Sequence, residues 1–190
     1  MKVIGLTGNM GCGKSSVAGM LRELGVATID ADALAREIRQ NDADARGAIE
    51  RRFGTIDARN LGQIVFSDPS ALRDLEAILH PKVRDAVRSR LAELDEGDVE
   101  LASVEVIKLF ESPLHDACDQ VWVVRCDESD ALQRLAAARG MDEATARARM
   151  AAQSSQDDKL VRADVVIDNR GTLDETRRQV AVALDALLAR

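Results

Sequence analysis

Short apolar, β-branched runs alternate along this chain with longer stretches in which apolar residues recur at helical spacing. Residues 2–6 (KVIGL) predict a buried strand, followed by a Gly-rich turn and a helix from about residue 14 to residue 24. Residues 26–29 predict a second short strand. After it Ala31, Leu34, Ala35 and Ile38 recur every three or four positions, and Asp30 or Asp32 is placed to cap the start. Residues 42–98 read as entirely helical, cut into pieces by Gly54, Gly62, Pro69 and Pro81. Further strands are predicted at 99–107, 120–125 (QVWVVR) and 164–167 (DVVI). Residues 127–161 are highly charged and helical in pattern, and 174–189 form one amphipathic helix.

Strands separated by helical segments of this length pair in parallel through right-handed crossovers. The predicted fold is therefore α/β, a five-stranded parallel sheet sandwiched by helices in three layers. Its core comprises residues 1–30, 99–126 and 161–190. Two helical insertions leave that core, one at about 31–98 and one at about 127–160. The chain shows no repeats, no low-complexity tract and no linker, so its 190 residues, 46% hydrophobic, predict a single domain.

Composition narrows the function. No stretch reaches the roughly 18 apolar residues of a membrane span, and the N-terminus is too short in apolar residues for a signal peptide. A net charge of −7 argues against a duplex nucleic acid partner. One Trp, three Phe and no Tyr leave little for a single-strand stacking platform. The cysteines Cys12, Cys118 and Cys126 form no CxxC pair and no metal spacing, and read as reduced thiols of a cytosolic protein.

Residues 8–15 (GNMGCGKS) fit G-x-x-x-x-G-K-[ST], with a strand running in and a helix running out. Gly8, Gly11 and Gly13 let the backbone curl so that successive N–H groups point at phosphate oxygens. The positive end of the following helix adds to that field. Lys14 is expected to reach the β- and γ-phosphates, and the Ser15 hydroxyl to hold Mg²⁺. The motif implies a nucleoside triphosphate without saying what is done to it. The N-K-x-D element of a GTPase is absent. Instead Asp30 and Asp32 lie two apart at a strand's C-terminal end, where ligands of open α/β sheets collect. A carboxylate there can orient or deprotonate an attacking hydroxyl. Asp30 is read as the more structural of the two and Asp32 as the more catalytic.

The ordered segments GLTGNMGCGKSSVA, LGVATIDADALARE, IVFSDP, LEAILHPKV, VWVV and VIDNRG resemble those of the dephospho-CoA kinase family, spanning residues 4 to about 171. The P-loop is common to many proteins; the combination of IDAD-x₃-R with LHP is far narrower. The resemblance implies a P-loop NTPase fold of the nucleoside-monophosphate-kinase kind. It also implies transfer of the ATP γ-phosphate, with Mg²⁺, to the ribose 3′-hydroxyl of dephospho-CoA, the last step of coenzyme A synthesis. It puts Asp32 near the acceptor hydroxyl, the acceptor in the 31–98 insertion, and a lid over ATP at 127–160. A cytoplasmic monomer or weak homo-oligomer is expected.

Several positions carry two readings each. Arg36 lies one turn after Asp32 and can face the same ligand or solvent. His80 of LHP is a substrate contact or a structural residue. Glu105, an acid in a strand that should be buried, holds Mg²⁺ through water or pairs with a core cation. At 107–111 (IKLFE) the family's usual P-L-L-F-E gains Ile107 and Lys108, and Lys108 meets a substrate phosphate or pairs with Glu111. Ser16 stands where threonine is commoner. Cys12, where serine is common, is an inert packing residue or a thiol activated by the loop's N–H groups. Among the lid arginines Arg139 is the expected contact to the transferred phosphoryl group, with Arg134 second. Asn169 and Gly171 match the family's I-D-N-x-G turn, and Asn169 contacts adenine or marks a plain turn.

Overall fold

A computed structural model of the chain describes residues 1–139 and 142–189; the side chains of Ala138 and Arg139 also lie outside the description. Two compact units emerge, one of residues 1–29 with 94–190, the other of residues 30–93.

The first unit is built on the apolar runs. Strands β1 (Lys2–Thr7), β2 (Ala27–Asp30), β3 (Leu101–Glu105), β4 (Gln120–Arg125) and β5 (Val165–Asp168) form one sheet in the order β2-β3-β1-β4-β5. The strands pair in parallel, with Leu6 opposite Glu105 and Leu6 also opposite Trp122. Strands β1, β3 and β4 are buried almost end to end, as expected of central strands covered on both faces. Helices α1 (Lys14–Glu23) and α9 (Leu173–Leu188) pack on each other and on the sheet. Val17 and Leu21 from α1 meet Val180 and Leu184 from α9 in a core that also holds Ile4, Leu6 and Trp122. Thr172 caps α9 in a reciprocal box with Glu175.

The highly charged stretch after β4 divides into α6 (Glu128–Arg139), α7 (Glu143–Ala151) and α8 (Gln156–Val161). Asp142 and Ser155 start the last two as N-caps, which a helical period alone does not reveal. The predicted strand at 99–107 is shorter, Leu101–Glu105, and two 3₁₀ turns follow it at Leu109–Glu111 and Pro113–Ala117.

The second unit is helical throughout. It comprises α2 (Ala31–Asn41), α3 (Ala43–Phe53), α4 (Ala58–Ser67) and most of α5 (Pro69–Glu96). Aspartates 30, 42 and 57 cap α2, α3 and α4 through their side chains. Ala45, Ile49, Leu61, Val65, Ala71 and Leu79 form its core. Two expected interruptions are absent: Gly62 lies inside α4, and α5 runs for 28 residues through Pro81. Pro81 removes the N–H that would bond to the carbonyl of Ala77, yet both residues face solvent, where water can serve that carbonyl.

The cysteines correct the sequence reading. Cys12 and Cys126 are joined in a disulfide, with Cα atoms 5.0 Å apart across 114 residues of sequence. The parallel register that sets the end of β1 beside β4 brings together two residues that no spacing rule links. Cys118 is free, and burial pushes its thiol up to about 12. Among the described residues no helix is long and apolar enough to cross a membrane.

Candidate active site

The loop between β1 and α1 is shaped by Gly8, Gly11 and Gly13, all at positive φ, where any other residue would be strained. Gly13 has φ 93°, in the left-handed region, and a Cβ there would strike the side-chain amide of Asn169. A Cβ on Gly8 would strike the carbonyl of Val124. The loop is therefore seated directly on the ends of β4 and β5. Its carbonyls are engaged by other groups. Lys14 Nζ donates to Gly8 O at 3.0 Å, Cys12 N to Asn9 O at 3.1 Å, and Asn169 Nδ2 to Cys12 O at 2.8 Å. Arg134 reaches Gly11 O at 3.5 Å and Asn169 O at 3.1 Å.

The helix that follows differs from its neighbours. Helices α2, α3, α4, α7, α8 and α9 all start with a side-chain cap, whereas α1 starts at Gly13 with none and has no acid in its first turn. Its N-terminus carries the positive end of the helix dipole, which favours an external anion there.

Ser15 opens the first turn of α1, and its Oγ donates to Glu105 Oε1 at 3.0 Å. Glu105 is 6% exposed at the end of β3, one strand over from the loop. A hydroxyl and a carboxylate oxygen in contact beside a phosphate loop are hard ligands suited to Mg²⁺. That ion normally takes one or two protein oxygens and completes its shell with phosphate and water. No group of three or more acidic, histidine or cysteine ligands occurs among the described residues, and this mode of binding does not need one.

The remaining expected residues are placed as follows. Asp30 caps α2, accepting from Ala33 N at 2.8 Å, and Arg36 lies 3.7 Å from its carboxylate. Asp32 sits in the first turn of α2, half-buried. His80 is exposed on α5, and Ser16 is exposed on α1. Lys108 is half-buried at the start of the first 3₁₀ turn. The Arg139 side chain lies outside the described residues, whereas Arg134 rests on the loop. Asn169 follows directly on β5. It is 3% exposed, its amide nitrogen holds Cys12 O, and its amide oxygen accepts from Thr176 at 2.9 Å, so the side chain supports the loop from behind.

Three residues escaped the sequence reading. Gln153 accepts from Met10 N at 3.0 Å, Gln156 exchanges two hydrogen bonds with the Cys126 backbone, and Lys159 Nζ donates to Asn9 Oδ1 at 2.7 Å. They recur every third residue across the α7–α8 junction, and each grips the loop or the strand end beside it. The signal was present as polar residues at a spacing of three. It was hidden in a charged stretch that resembles a solvated face.

The family model for dephospho-CoA kinase matches residues 2–175. A dephospho-CoA kinase of Geobacter sulfurreducens is 41% identical over 188 residues, covering 95% of each chain. Among solved structures, a Thermus thermophilus protein superposes with a TM-score of 0.83 at 35% identity, covering 99% of this chain and 96% of its own. Dephospho-CoA kinase from Campylobacter jejuni superposes at 0.69 and 26% identity, with 98% of each chain covered.

Proposed function

Because the chain belongs to the dephospho-CoA kinase family and is thus an ATP-dependent kinase, we propose that it transfers the γ-phosphate of ATP to the ribose 3′-hydroxyl of dephospho-CoA. The observation that carries the acceptor's identity is the family match over residues 2–175. The loop geometry supports the chemistry.

In this reading the amides of residues 8–15 and the uncapped start of α1 bind the β- and γ-phosphates, and Lys14 exchanges Gly8 O for their oxygens. Ser15 and Glu105 would hold Mg²⁺, which when bound neutralises charge on the β- and γ-phosphate oxygens. Arg134 keeps the loop's carbonyl side occupied, so that its N–H side stays available. Asp32 orients the acceptor hydroxyl and takes its proton as the new O–P bond forms and the bond to the β,γ-bridging oxygen breaks. ADP leaves with that electron pair. Residues 31–98 form the acceptor-binding insertion, with Arg36, His80 and Lys108 as candidate contacts to dephospho-CoA. Residues 127–160 form the lid, and Arg139 acts from it. The enzyme works in the cytoplasm, as a monomer or weak homo-oligomer.

The test is ADP release from purified protein with Mg-ATP and, in separate reactions, dephospho-CoA, AMP, CMP, adenosine and pantetheine. Turnover with dephospho-CoA, giving coenzyme A, is expected. Turnover of another acceptor without turnover of dephospho-CoA would overturn the assignment.

A further inference from the structure

A lysine is among the last residues to be buried, because removing its charge from water is expensive unless a partner compensates. Lys159 is 1% exposed. Its two hydrogen-bond acceptors are neutral: Asn9 Oδ1 in the phosphate loop at 2.7 Å, and the carbonyl of Ile107 just past β3 at 3.3 Å. The same carbonyl accepts from the Thr7 hydroxyl at 3.0 Å, so Lys159 ties the loop to the ends of both β1 and β3. The charges facing it are Lys14 from α1, and Lys108 and Glu111 from the segment after β3.

We propose that Lys159 is a positioning residue for phosphoryl transfer: it holds Asn9 and the crown of the loop in their anion-receiving shape and supplies a buried positive charge behind Lys14. The inference rests on the reading that the loop receives a nucleoside triphosphate. Lys159 is buried and bonded to Asn9, so it acts through that residue and through its field. Its placement explains why an ammonium is kept where an apolar residue would fold more cheaply. Burial, with Lys14 and Lys108 adding to it against the opposing pull of Glu111, brings its proton affinity down to about 8. A bound triphosphate adds negative charge at the loop and favours the protonated form. Nucleotide binding therefore weakens as pH rises through about 8.

The experiment compares wild type, Lys159→Met and Lys159→Arg in Mg-ADP binding by calorimetry and in kcat/KM for Mg-ATP, between pH 7 and 9. At pH 7 Lys159→Met is expected to lose about tenfold to a hundredfold in kcat/KM for ATP, the size of one charged hydrogen bond. Its ADP affinity is expected to lack the wild-type decline above pH 8. Lys159→Arg keeps its charge at pH 9 and is expected to lack that decline too, so it carries the test if the methionine variant does not fold. A methionine variant with wild-type kcat/KM for ATP, or an arginine variant that keeps the wild-type pH dependence, overturns the proposal. Wild type that binds ADP but leaves dephospho-CoA unphosphorylated overturns the acceptor assignment instead, and the ADP measurements still decide the role of Lys159.

Discussion

Glu105 was legible as an anomaly, an acid inside a run of apolar residues, but its partner was not. Only the pairing of β1 with β3 sets it against Ser15. Glu105→Gln keeps the shape and removes the charge. It is expected to lower kcat by about 10- to 100-fold and to raise the Mg²⁺ concentration needed for half-maximal rate, a loss consistent with 1.4–2.7 kcal/mol of transition-state stabilisation (roughly). An unchanged Mg²⁺ dependence would remove Glu105 from the metal site. Asp32→Ala is expected to bind ATP within about twofold of wild type while losing about 10²–10⁴ in kcat, measured by single-turnover ADP release. Lys159 also has a stability consequence. Below about pH 8 the folded and unfolded states both hold its proton, and the full cost of burying the charge is present. Between about 8 and the ordinary lysine value of 10.5 the folded state sheds the proton that the unfolded state keeps, so stability contributed by this group rises with pH. Relative to wild type, Lys159→Met is therefore expected to be more favourable in Tm at pH 7 than at pH 10. The same difference at both pH values would contradict the charge burial.

Strands and helices follow the periodicity closely where they are long and central, as in β1, β4, α1 and α9. The discrepancies arise where exposure reverses a local rule. Pro81 and Gly62 are helix breakers by propensity, but a proline whose orphaned carbonyl faces water costs less than one inside a core. Pro81→Ala is expected to raise the unfolding free energy by about 1–3 kcal/mol, the helix penalty less the proline's restriction of the unfolded chain. A denaturant midpoint that falls would show that the proline's restriction of the unfolded chain outweighs its helix penalty. In the charged stretch after β4, the caps Asp142 and Ser155 were visible as residue types, yet only the fold shows α7 and α8 as separate helices that close on the phosphate loop.

Across the whole molecule, the disulfide is the feature that distance in sequence concealed most completely. Under denaturing conditions without reductant one thiol per chain, Cys118, is expected to react with a thiol reagent, and three after reduction; three beforehand would exclude the bond. Replacing Cys12 and Cys126 by serine is expected to cost about 2–4 kcal/mol, which corresponds to a fall in Tm of about 4–16 °C for a chain of this size. By itself the sequence determined the α/β class, the phosphate loop and its lysine, the run of helices after β2 and the family, because these depend on local periodicity and on contiguous residues whose spacing carries the chemistry. Tertiary structure alone decided what surrounds that loop: Glu105 on Ser15, Asn169 and Arg134 on its carbonyls, Cys126 on Cys12, and Lys159 on Asn9. Each of those contacts spans between 90 and 157 residues. They exist because parallel strands deliver their C-terminal ends to one edge of the sheet, however far apart those ends lie in the chain.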